Sequence, residues 1–128
     1  MPVEIVFRRP VLDNLLNQPG GAVGRHLASV GRRIVLAAKR QVGVDTGRLK
    51  ASIHMRHSRS GVGQYIEVGS SVKHALVHHE GSRPHLIVPN RAQVLRFTAG
   101  TRVVYTHMVR HPGTRPNRYL TDNLYLIR

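Results

Sequence analysis

The chain has no cysteine and no tryptophan. Without cysteine there are no disulfides and no thiolate metal sites, which fits synthesis in a reducing cytosol. Aromatic residues are only 5% of the total, so a base-stacking platform or an RNA-recognition motif has little to be built from. Acids are also scarce. Glu4, Asp13, Asp45, Glu67, Glu80 and Asp122 are the only six, and they are scattered along 128 residues. General acid–base work needs a carboxylate pair or a positioned histidine, and a metal-dependent nuclease clusters its carboxylates, so the scatter argues against such a nuclease. There is no HExxH and no GxSxG. Gly20-Gly21 and the Gly61-x-Gly63 turn do not match a phosphate loop. No apolar run is long enough to span a bilayer. Met1 to Pro10 contains Glu4 and lacks the apolar core of a signal peptide.

What is abundant is positive charge. Twenty Lys and Arg against six acids leave a net charge of +14, and only Lys39, Lys50 and Lys73 are lysines. A balance of this kind implies a polyanionic neighbour, either nucleic acid or an acidic protein surface. A GC-rich genome favouring arginine codons accounts for Arg over Lys, but not for the shortage of acids. Residues 1–50 carry +6 and residues 51–128 carry +8. No basic tail stands apart from the fold, which argues against a histone-like arm.

The length suits a single domain, residues 1–128, with a modest core. Residues 1–18 read as an arm or short helix: Val3 to Phe7 as a strand or arm, Val11 to Asn17 as a helix ended by Pro19-Gly20-Gly21. A long amphipathic helix is predicted from Ala22 to Val42. Val23, Leu27, Val30, Ile34, Ala37, Ala38 and Gln41 form its core stripe, and Arg25, Arg32, Arg33, Lys39 and Arg40 its basic side. Leu36 points to the basic side, as a lone exposed leucine or a subunit contact. Ser52–His57 and Tyr65–Val68 predict a hairpin around Ser58–Gly63. His74–Glu80 is a short helical or extended segment. Leu86-Ile87-Val88, between Pro84 and Pro89, reads as an edge strand. Val94–Phe97 and Val103–Val109 read as a second hairpin around Gly100. Tyr119, Leu120, Leu124 and Ile127 suggest a terminal helix. The expected class is α+β: a long amphipathic helix packed on a small, mostly antiparallel sheet, with a short C-terminal helix.

Nine histidines raise the question of a metal. His74 and His78 would share a helical face, with His79, Glu80 and His85 near. Their spacing is not that of a closed zinc site, and polar or turn histidines are the plainer reading. No metal and no cofactor is expected. A metal-independent RNase using histidine with arginine or lysine is the enzymatic alternative.

Three local patterns stand out. In Val44-Asp45-Thr46-Gly47-Arg48-Leu49-Lys50-Ala51-Ser52-Ile53 a helix stop and a tight turn run into a strand start. Gly43 suits the left-handed residue that ends a helix. Asp45 and Thr46 can accept backbone N–H bonds, and Gly47 permits a conformation other residues resist. The second pattern is Val77-His78-His79-Glu80-Gly81-Ser82-Arg83-Pro84-His85. The third is His111-Pro112-Gly113-Thr114-Arg115-Pro116-Asn117-Arg118-Tyr119-Leu120. The last two echo each other: His74-x3-His78 before Gly81-Ser82-Arg83-Pro84, and His107-x3-His111 before Gly113-Thr114-Arg115-Pro116. Two short copies do not make a repeat protein, so the echo is either turn chemistry used twice or chance.

In their order and spacing, over roughly residues 20 to 125, the three patterns resemble the neck proteins of long-tailed phages, the tail-completion or head–tail joining family. The family commonly has an aromatic–Val–Glu–aromatic–Gly stretch where this chain has Val77 to Gly81, with His78 and His79 in place of bulkier residues. The resemblance implies a structural virion protein, not an enzyme, made in the bacterial host cytoplasm. It implies a ring, commonly hexameric, between head-closure and tail-terminator or tail-tube proteins, with a channel for genomic DNA. A closed ring needs two different surfaces per subunit. The expected subunit contacts are Asp45, Thr46, Gly47, Arg48 and Leu49; Gly81, Arg83, Pro84 and His85; and His111, Pro112, Gly113, Thr114, Arg115 and Pro116. Arg32, Arg33, Lys39 and Arg40 are the expected DNA-facing residues, contacting phosphates without reading sequence. A tail-terminator ring and a free basic nucleic-acid-binding protein or small RNase are the alternatives.

Overall fold

The computed structural model of the chain describes residues 1–61 and 63–128. It is a mixed helix and antiparallel sheet structure, α+β as the sequence predicts. The chain divides into two compact units, Met1–Ala75 with Arg118–Arg128, and Leu76–Asn117.

In the first unit, Val3–Phe7 lie exposed outside any sheet, an arm and not a strand. Helix α1 spans Arg9–Asn17, with Pro10 in its first turn, where a missing N–H costs no helical bond. It stops at Gln18, before Pro19. Helix α2 spans Ala22–Gln41, and Val30, Ile34 and Ala38 are its buried apolar side chains. Gly31, on the same face, is a close-approach site. A Cβ there would lie 2.6 Å from Met55 Sδ and 2.8 Å from Ile66 Cδ1, so the bare backbone lets the following hairpin lie against the helix.

The exit from α2 differs from expectation. Gly43 is not left-handed. The helix ends at Val42, whose backbone is extended (φ −63°, ψ 135°) and whose side chain is drawn into the core. Gly47 is the left-handed residue (φ 80°), and it starts a one-turn helix, α3, Arg48–Ser52, where the sequence suggests direct entry into a strand. Asp45 is exposed and caps nothing; α3 begins without a side-chain cap, and only Thr46 Oγ1 accepts a long bond from the Arg48 amide (3.4 Å). One helical turn stacks Leu49 over Ile53, and both are buried.

Strands β1 (His54–Ser60) and β2 (Gly63–Gly69) pair antiparallel, from His54 opposite Gly69 to Ser60 opposite Gly63. Of the expected Ser58–Gly63 turn, Ser58–Ser60 are strand and Val62 lies outside the described residues. The core gathers Ala38, Val42, Leu49, Ile53, Ala75 and Tyr119, with Val35, Val68, Val72 and Leu120 packed against it. The terminal helix is a 3₁₀ helix, Thr121–Ile127. Buried Asn123 ties it down, donating to Tyr119 O (2.8 Å) and to Gln41 Oε1 (2.9 Å).

The second unit holds α4 (Ala75–Glu80, from its second residue on), β3 (His85–Ile87), β4 (Leu95–Ala99), β5 (Arg102–Thr106) and β6 (Val109–His111). Strands β4 and β5 form a hairpin turning at Gly100 (φ 64°), nested inside the β3–β6 pair. The expected strand Val103–Val109 is therefore two strands. Thr106 Oγ1 donates to Met108 O (3.0 Å) and accepts from the Met108 amide (3.3 Å). This local turn sends Val109 away from β4 and towards β3. Strand β3 pairs on one side only, as an edge strand does, and Val88 lies beyond it.

Candidate functional site

Within Leu76–Asn117 the second and third sequence patterns meet. The amides of Ser82 and Thr114 donate to each other's carbonyls, both at 3.0 Å. The Thr114 amide also lies 3.1 Å from Ser82 Oγ. This bridge shares one antiparallel register with β3 and β6, where His85 faces His111 and Ile87 faces Val109. On that register Pro84 falls opposite Pro112. Neither has an N–H to give, so the ladder is interrupted there and resumes on either side.

The echo in the sequence is thus a local dyad in space. Over the Gly-Ser/Thr-Arg-Pro part of the echo, a two-fold axis between two antiparallel strands, passing through the Ser82–Thr114 pair, carries each residue onto the one 32 positions on; the histidines of the echo, 33 apart, fall outside it. Gly81 maps onto Gly113, Arg83 onto Arg115, and Pro84 onto Pro116. The glycines confirm it. Both are left-handed, Gly81 at φ 76° and Gly113 at φ 90°. A Cβ on Gly81 would run into Thr114 O and lie 2.9 Å from Pro116 N. A Cβ on Gly113 would run into Ser82 O and lie 3.0 Å from Pro84 N. No other residue fits without a backbone shift.

The dyad sits on a hydrogen-bonded base. The Asn117 amide donates to His78 O (3.0 Å), and the His85 and His111 rings lie with centroids 4.9 Å apart. Gly113 N donates to His111 Nδ1 (3.1 Å), so that nitrogen is an acceptor and the neutral ring carries its proton on Nε2. His85 does the opposite, donating from Nδ1 to Arg83 O (2.9 Å).

Of the expected contact residues, Arg83, Pro84, His85, Pro112, Thr114, Arg115 and Pro116 are exposed, while Gly81, His111 and Gly113 are half-buried. The fold brings all ten together. Asp45, Thr46, Gly47, Arg48 and Leu49 belong to the other unit. Asp45, Thr46 and Arg48 are exposed there, and Leu49 is committed to the core. Arg32, Arg33 and Arg40 stand exposed on α2 and Lys39 is half-buried. Ser82 is the residue the sequence reading passes over. Its signal is its place in the echo, opposite Thr114.

Elsewhere the chemistry is sparse. Among the described residues no three His, Asp or Glu side chains converge on a metal position. His79 Nδ1 lies 2.6 Å from Glu80 Oε1. Arg56 and Glu67 face each other across β1–β2, Nε to Oε2 2.9 Å, and the carboxylate raises the Arg56 pKa. An apolar groove of about 330 Å³ in the first unit is lined by Leu27, Val30, Ile34, Ile66, Leu120 and Leu124 among others, and by Gln64. Gln64 Oε1 is buried with no partner among the described residues.

No protein-family model, curated protein or solved structure matches the chain.

Proposed function

We propose that this chain is a structural neck subunit of a long-tailed phage, a tail-completion protein that assembles as a ring and leaves a channel for DNA. The observation that carries the reading is the order of three motifs, at Val44–Ile53, Val77–His85 and His111–Leu120. What the fold adds in support is that the second and third motifs pair as one hydrogen-bonded feature, and the first shapes an exposed turn before α3. A closed ring needs two different surfaces on each subunit, and we assign these two features to them. The α2 residues Arg32, Arg33, Lys39 and Arg40 are proposed as a DNA-facing set. No acidic side chain pairs with them among the described residues, and DNA sliding past calls for loose, sequence-blind contacts.

The test is the mass of the purified protein in solution, alone and mixed with the tail fraction of its phage. A ring alone, or a monomer that joins tails as a ring, is the expected result. A persistent monomer that ignores tails and binds or cleaves nucleic acid overturns the reading. It favours instead a free basic nucleic-acid-binding protein, for which the six arginines in Leu76–Asn117 speak, none of them in an ion pair among the described residues.

A further inference from the structure

The local dyad has a charged face. Its two-fold axis runs perpendicular to the ribbon, so residues it exchanges stand on the same face. Arg83 and Arg115 are such a pair, each one position beyond the bridged Ser82 and Thr114. They are diagonal neighbours across the strands, a relation that sets Cα atoms about 7–8 Å apart. On the register of that bridge Arg83 falls opposite Gly113 and Arg115 opposite Gly81, positions that carry no side chain. Both are exposed.

Nothing in the unit neutralises them. Leu76–Asn117 contains six arginines, Arg83, Arg91, Arg96, Arg102, Arg110 and Arg115, and one acid, Glu80. Glu80 is taken by His79, and none of the six forms an ion pair among the described residues. A second copy of the chain is a poor source of carboxylates. Glu67 is held by Arg56, Asp13 accepts from Asn17 (2.8 Å) and Asp122 from Gln41 (2.8 Å). A neutral amide leaves a carboxylate its charge, so Glu4, Asp13, Asp45 and Asp122 form no ion pair among the described residues, four acids against 20 cationic side chains. Charge complementarity therefore points away from the chain itself and towards a dense polyanion. The planar guanidinium is the side chain best matched to phosphate oxygens, which it can engage with two parallel N–H bonds.

We infer that Arg83 and Arg115 form a two-pronged phosphate clamp for the backbone of duplex DNA, held in register by the Ser82–Thr114 bridge. The inference rests on the neck reading only for the source of that DNA, the genome in transit. It moves the two arginines from the subunit boundary to the nucleic acid and leaves the glycines and prolines to shape the loops. Contact is to phosphates alone, so it is blind to sequence and weakened by salt.

The experiment titrates the full-length protein with a labelled mixed-sequence duplex of about 20 base pairs, at about 50 to 200 mM salt, a range over which phosphate contacts show as a slope. Wild type is compared with Arg83→Gln/Arg115→Gln and with Arg91→Gln/Arg102→Gln, which removes the same charge from the same unit. The expected result is a salt slope shallower by about 1.8 in the first variant, two contacts at roughly 0.9 each. The control variant shifts less than half as far. Unchanged protection of the Ser82 and Thr114 amides shows that the loops still pair. Equal slopes in the two variants, or no duplex binding by wild type, overturn the clamp. So does an equally strong affinity for a polyglutamate peptide of matched charge. Loss of the ring in the Arg83→Gln/Arg115→Gln variant also overturns it and returns both side chains to the subunit boundary. Rings on tails with unaltered DNA binding sink the clamp and leave the neck reading standing. A protein that never joins tails yet loses DNA with this pair keeps the clamp and loses the neck.

Discussion

Ser82 and Thr114 stand 32 positions apart and bond to each other as equivalents, amide to carbonyl in both directions at 3.0 Å. Each follows a left-handed glycine and precedes Arg-Pro. The pairing turns a faint echo in the sequence into one object with an approximate two-fold axis.

Gly81→Ala and Gly113→Ala meet the same obstacle from opposite sides, a positive φ and a carbonyl of the partner loop. Each substitution should destabilise the pairing by about 1–3 kcal/mol, the usual cost of a strained backbone position. The effects should be similar in size. Gly47→Ala, at φ 80° with open space around it, should cost only about 1 kcal/mol. Amide hydrogen exchange at Ser82 and Thr114 reads the first two. Exchange as slow as in wild type would refute the dyad.

Ile53 is fully buried beside Tyr119 in the core cluster, whereas Leu86 is 55% exposed. Ile53→Ala should lower stability by about 2–5 kcal/mol, through lost transfer energy and the cavity left behind. Leu86→Ala should change it by less than about 0.5 kcal/mol. Urea unfolding of both variants gives the comparison. Equal losses would mean that the core is drawn in the wrong place.

Gly31 marks where the β1–β2 hairpin presses on α2. Gly31→Val needs the space held by Met55 Sδ and Ile66 Cδ1, and overpacking of this kind costs about 1–3 kcal/mol. A melting temperature at or above that of wild type would show that the hairpin yields freely.

Tyr119 supplies a pH test. Burial raises the pKa of its phenol, because the charged form is disfavoured in the core. Its hydroxyl donates a long bond to Ala75 O (3.5 Å). The stability it confers is fully present below the unfolded value of about 10. Above that the unfolded phenol ionises first, and stability is lost as pH rises through the folded value. Tyr119→Phe removes this ionisation, so the variant should lose less stability than wild type on going to strongly alkaline pH. Parallel pH profiles of urea midpoints would count against the assignment.

Periodicity made the framework legible. The α2 stripe carried its limits to within a residue, because Val30, Ile34 and Ala38 can reach the core only from a helix of that phase. Alternation gave the hairpins in outline. The local exits were hidden because they are settled by tertiary burial. Val42 leaves α2 extended since its side chain is needed in the core, and that displaced the left-handed glycine from Gly43 to Gly47. The break between β5 and β6 depended on one hydroxyl, Thr106, bonding to Met108 at both backbone atoms. The meeting of the two Arg-Pro loops was written in the sequence as an echo. Its partner choice was not, since matching turns say nothing about whether they touch.

The two units differ in what holds them together. The buried apolar residues all lie in Met1–Ala75 and Arg118–Arg128, while His79 is the only buried residue of Leu76–Asn117. A segment tied by ladder bonds, prolines and left-handed glycines hides little hydrocarbon from water. Heat capacity on unfolding follows exposed apolar area. Local opening of Leu76–Asn117 should therefore carry a small heat-capacity change and a shallow denaturant dependence. Its free energy should vary with temperature along a nearly straight line, beside the curved profile of the unit that owns the core.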